Sequence, residues 1–167
     1  MRTCILSAIA LAILSGSVVA QEQHAKSDQL ADTTIPPQVW NVLRSDVLIV
    51  KTVRELPEAV RTALAKSLHQ DRLEMGDHEH VVKSRCDDCV IFRLIFGGIS
   101  PDGCFVHYSA IGFGPIFNII VFDTAGQKGP RPIWAARGAR SDGLDELRSL
   151  IAEGKFHSYP QQQSPHR

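Results

Sequence analysis

Three apolar runs, Val90 to Phe96, Cys104 to Tyr108 and Ile116 to Phe122, are separated by residues that favour turns, and no other pattern in the chain restricts its fold as much. The runs are rich in β-branched and aromatic side chains and too short for amphipathic helices. Between them stand Gly97-Gly98, Ser100-Pro101-Asp102-Gly103 and Gly112-Phe113-Gly114-Pro115, which read as hairpin punctuation, so the three runs form a β-meander. A fourth strand, Ile133 to Arg137, follows the loop Thr124 to Pro132.

Helical spacing surrounds this block. Pro36-Pro37 opens a short helix through Leu43, and a firmer one starts at Pro57, with Leu56, Val60, Ala63, Leu64 and Leu68 on one face. Val47 to Val50 is either a strand or a connecting segment. A last helix runs from a cap at Ser141 or Asp142 to Glu153, turns Leu144, Leu147, Leu150 and Ile151 inward and stops at Gly154. Helices, then strands, then a helix predict an α+β domain: an antiparallel meander of about four strands with two or three helices packed on one face.

Alternation splits each strand into two sets. A hairpin about residue 100 and a second about residue 112 or 113 put Phe92, Leu94, Phe96, Cys104, Val106, Tyr108, Phe117, Ile119 and Val121 on the helix-covered face. Ile91, Arg93, Ile95, Phe105, His107, Ser109, Ile116, Asn118 and Ile120 fall on the other. Arg93, His107 and Asn118 then form a transverse polar stripe, rich in hydrogen-bond donors and free of fixed negative charge, that suits a carboxylate or another small anion. The plainer reading is the wetted face of a half-buried sheet. Large apolar neighbours such as Phe105 and Ile120 favour an interaction surface.

At the N-terminus, Met1-Arg2-Thr3 precedes an apolar run from Cys4 to Leu14, then Ser15, Gly16 and Ser17, with Val18 and Ala20 placed for cleavage. This is the succession of an export signal over residues 1–20, too short to span a bilayer. Residues 21–34 and 158–167 are polar and read as flexible ends, which leaves 35–157 as one domain. The chain carries 18 Lys plus Arg against 18 Asp plus Glu, a balance with no electrostatic footprint for nucleic acid or an acidic membrane. The expectation is an exported protein, periplasmic or secreted, with no membrane attachment after cleavage.

Processing leaves Cys86, Cys89 and Cys104. In the hairpin about residue 100, Cys104 lies beside Gly97 and far from Cys89, so a disulfide between Cys86 and Cys89 is expected, with Cys104 a buried thiol. The pair leads into a strand and is flanked by Asp87 and Asp88, surroundings that raise a thiol pKa rather than activate it. His78 and His80 with Cys86 and Cys89 supply an alternative, four ligands of the types zinc accepts, although His-X-His ahead of the cysteines is not a standard finger spacing.

No nucleophile elbow, phosphate-binding glycine loop or zinc-protease helix is present in the sequence. His107 and Ser109 share a face as a conceivable base and nucleophile, yet two residues along a strand is a loose spacing and no carboxylate is placed to orient the histidine. The expectation is therefore a binding or protein-interaction domain without a cofactor, its partner a protein or a small anionic ligand. A small hydrolytic or ligand-processing enzyme using the Arg93, His107 and Asn118 face is the further alternative.

Overall fold

A computed structural model describes residues 35–77, 91–111 and 114–159. The expected export signal, the 21–34 segment, residues 160–167 and the His78, His80, Cys86 and Cys89 group lie outside the described residues.

Helix α1 (Pro37–Arg44) follows Pro36, whose fixed φ suits the entry to a helix, and buries Val39, Val42 and Leu43. Strand β1 (Leu48–Val50) and a 3-10 turn at Val53–Glu55 lead to α2 (Glu58–Ser67), which buries Val60, Leu64 and Ala65. After a two-residue strand β2 (Met75–Gly76) come β3 (Ile91–Ser100), β4 (Gly103–Ile111), β5 (Pro115–Asp123) and β6 (Arg131–Gly138). Helix α3 (Leu144–Ala152) ends at Gly154 with φ of 71°, the left-handed stop expected of that glycine. Strand β7 (His157–Ser158) closes the described chain.

The antiparallel α+β class is the one the separation of helices and strands predicts. The sheet has seven strands, ordered β1-β3-β4-β5-β6-β7, with β2 beside β3 as its one parallel neighbour. Strand β1 falls within the Val47 to Val50 run read as a strand or connecting segment, while β2 and β7 are two-residue pieces too short to leave a periodic signature in the sequence.

Both faces of the sheet are apolar, so both are covered. Phe96, Phe105, Ile119, Val121, Trp134 and Ala136 pack against α1 and α3. Leu94, Cys104, Val106, Ile120, Phe122 and Ala135 pack against α2. The helices thus divide between the two faces rather than sharing one.

Gly97 and Gly98, expected to end a strand, lie inside β3, opposite Val106 and Phe105. Side chains fill the space their missing Cβ atoms leave: Val50 and Leu56 close on Gly97, and the Phe105 ring and Val47 on Gly98. The chain turns instead at Pro101-Asp102, between Ser100 and Gly103.

The sheet registers decide which side chains meet. Leu94 pairs with Tyr108 but Phe96 with His107, so Ile95 is the extra residue of a β-bulge. Phe96 consequently points to the α1 and α3 side, not to the side of Leu94. The second hairpin is centred on residue 113, with His107 opposite Ile119 and Tyr108 opposite Asn118.

The C-terminal end differs from expectation as well. His157 and Ser158 pair with β6, Tyr159 N–H donates to the Ala135 carbonyl at 3.1 Å, and Trp134 Nε1 donates to Ser158 Oγ at 2.7 Å. These bonds hold the domain together through Tyr159, two residues past the boundary that polarity suggests.

Candidate functional site

Arg93, His107 and Asn118 do not form one stripe. Arg93 pairs with Ser109 on the α1 and α3 side, the side of His107, whereas Asn118 pairs with Tyr108 and faces α2. A register one residue away from the expected one turns a side chain to the opposite face.

His107 is wholly buried between Phe96 and Phe156, their ring centroids 5.4 and 6.1 Å away. Ser141 N–H donates to Nε2 at 3.3 Å, which leaves the ring proton on Nδ1, donated to the Asn118 carbonyl at 2.9 Å. Burial lowers its pKa to about 4, against a smaller opposing effect of the Asn118 bond, so the ring is neutral near pH 7. Arg93 Nε, Ser109 Oγ and Ser141 Oγ are buried on this side without a hydrogen-bond partner among the described residues.

A transverse polar row does exist, on the other face and across different strands. Tyr108 of β4, Asn118 of β5 and Arg137 of β6 are successive register partners. At about 4.8 Å per strand they span roughly 10 Å. An apolar row of Phe92, Ala110 and Ile116 lies two residues along the same face. Both rows floor a cavity of about 630 Å³, roofed by the end of α2 from Ala63 to His69 and walled by Pro130, Pro132 and Tyr159. Pockets of roughly 300–1,000 Å³ are the usual size for small-molecule sites.

No family model, curated protein or solved structure matches the chain. The site therefore has to be read from its own chemistry.

Lys66, His69 and Arg137 border the cavity and, among the described residues, no carboxylate does. Among the described residues neither Lys66 nor Arg137 enters an ion pair, whereas Arg131, Arg140 and Arg148 each have an aspartate partner. The Tyr108 and Tyr159 hydroxyls adjoin at the border of the cavity. Burial raises the pKa of both phenols, with the Arg137 charge opposing it, so both stay protonated and able to donate. Asn118 Nδ2 donates to the Ile116 carbonyl at 3.1 Å, which holds the amide in place.

The α2 carbonyls that face the roof are already used. Leu68, His69 and Gln70 N–H groups take up those of Leu64, Ala65 and Lys66, through a tight turn in which His69 has φ of 55°.

Of these residues the sequence singled out Asn118 alone. Tyr108 carried a usable signal, since the hairpin centred on residue 113 sets it opposite Asn118, whereas Arg137 joins them through the register of β5 with β6. Tyr159, Lys66 and His69 reach the site only through tertiary packing. Among the described residues, Cys104 is the one free cysteine, buried opposite Ile99, with burial pushing its thiol up to about 12. No group of three or more His, Cys, Asp or Glu among the described residues could hold a metal ion.

Proposed function

We propose that this chain is an exported, periplasmic or secreted binding domain that acts without catalysis and takes a small organic anion into the cavity between α2 and the sheet. The observation that carries this reading is the combination of Lys66 and Arg137, neither in an ion pair among the described residues, with neutral donors from Asn118 and Tyr159 around one apolar cavity with no acidic group among its described lining residues. Binding is favoured over chemistry because His107, the histidine of the sheet's central strands, has both ring nitrogens occupied and no exposed surface. The export signal in residues 1–20 supports the location.

A thermal-shift titration of the mature protein with benzoate, citrate and their uncharged counterparts tests the proposal. A ligand at a hundred times its Kd stabilises by about 2.7 kcal/mol, enough to raise the Tm by several degrees. The expected result is a rise with an organic anion in the native protein and none in Ala110→Trp, whose indole fills the cavity floor. Equal responses of the two proteins to every compound would remove the reading.

A further inference from the structure

Resting on the binding reading above, we infer that the ligand is an arylcarboxylate, a planar apolar body bearing one carboxylate, with its head on the Tyr108, Asn118 and Arg137 row and its rings on the Phe92, Ala110 and Ile116 row. On the cavity floor strand register sets the polar row of Tyr108, Asn118 and Arg137 beside the apolar row of Phe92, Ala110 and Ile116, with Ile120 on the polar row's other side. A ligand that satisfies both rows has one charged end and one apolar end, which excludes compact, fully charged anions. Successive side chains on one face are roughly 6.6–7 Å apart along a strand, about the distance from a carboxylate carbon to the far half of a fused ring.

The walls select a flat body. Phe92 and Tyr108 stand at 59° to each other with centroids 6.0 Å apart, and Pro130, Pro132 and Tyr159 add further rigid surfaces. Such walls stack on a planar ring system at little entropic cost, while a flexible alkyl chain would lose rotamer freedom between them. Arg137 supplies a planar fork that matches a carboxylate, and the Tyr159 hydroxyl at the same cavity supplies a neutral donor beside it. A single carboxylate is matched by a single arginine at that end.

Calorimetric titration of the mature protein with four probes tests this: 2-naphthoate, the neutral 2-naphthalenemethanol, the flexible decanoate, and acetate. The expected order is 2-naphthoate at least ten-fold tighter than each of the others, with Arg137→Gln weakening 2-naphthoate at least ten-fold and leaving 2-naphthalenemethanol unchanged. Decanoate or acetate binding as tightly as 2-naphthoate would overturn the planar class and leave the anion site standing. 2-Naphthalenemethanol binding as tightly as 2-naphthoate, unaffected by Arg137→Gln, would overturn the anion site itself. Absence of binding by all four would overturn the inference, and the anion panel with Ala110→Trp then decides the broader reading separately. Near-ultraviolet circular dichroism of Arg137→Gln checks that the exposed substitution leaves the fold intact.

Discussion

The imidazole of His107 donates from Nδ1 to the backbone carbonyl of Asn118 at 2.9 Å, while the Asn118 side chain leaves from the opposite face of the sheet and borders the cavity. The two residues are joined through the strand and separated by it. His107 thereby holds β5 to the start of α3 through Ser141, and Asn118 presents its amide on a backbone that His107 supports.

That arrangement sets a pH dependence. The folded pKa of His107, about 4, lies below its unfolded value near 6.5, so the unfolded chain binds the extra proton between the two. Stability contributed by the neutral ring is full above pH 6.5 and is lost as pH falls towards 4, by at most about 1.4 kcal/mol per pH unit. Urea unfolding from pH 7 to 4.5, compared with His107→Leu, should show this extra slope in the native protein only. Parallel profiles would mean the ring is charged in the folded state. His107→Leu itself should lose about 2–4 kcal/mol at pH 7, having removed two buried hydrogen bonds.

Gly103 has φ of 156°, and a Cβ there would overlap the Phe122 carbonyl and press on Val42. Backbone of a neighbouring strand cannot move aside as a side-chain tip can. Gly103→Ala should therefore cost about 2–3 kcal/mol, measured by chemical denaturation, at the high end of overpacking effects. A loss under about 0.5 kcal/mol, the scale of an ordinary surface substitution, would show that the turn relaxes freely.

His69, exposed and left-handed after α2, occupies a position where glycine is the usual residue. His69→Gly should raise the stability of the unliganded protein by about 0.5–1 kcal/mol. The same variant should bind 2-naphthoate no better than the native protein, because it removes a donor from the cavity border. An unchanged or lowered Tm would show that the imidazole contributes contacts that outweigh its backbone strain.

Cys104 is fully buried and burial raises its thiol to about 12. Iodoacetamide at pH 8 should leave it unmodified in the native protein and label it fully in denaturant, since the thiolate is the reacting form. Peptide mass spectrometry reads the difference. Native-state labelling faster than global unfolding would reveal a local opening of β4.

Local chemistry along the chain determined which segments are strands and helices and where several of them stop. Val106, Ile120 and Leu94 have β-forming neighbours and turn residues at either end, Val60 and Leu64 recur at helical spacing behind a proline, and Gly154 ends a helix. These are short-range preferences, readable from composition and period. Asn118 also declared itself as a polar residue inside an apolar strand, worth placing in a site.

Its partners were decided by tertiary structure. A bulge at Ile95 moved Phe96 to one face, and the registers of β5 with β4 and β6 set Asn118 beside Tyr108 and Arg137 rather than beside His107. With a side-chain period of two, a one-residue change of register inverts a face while leaving the strand's composition and boundaries untouched, so alternation cannot reveal it. The cover of both faces, the short edge strands and the arrival of Tyr159 over β6 follow from packing between segments far apart in the chain, as when Arg148 Nε donates to the carbonyl of Leu43, 105 residues away, at 2.8 Å. Such contacts depend on how apolar faces close on one another in three dimensions, and no local pattern encodes them.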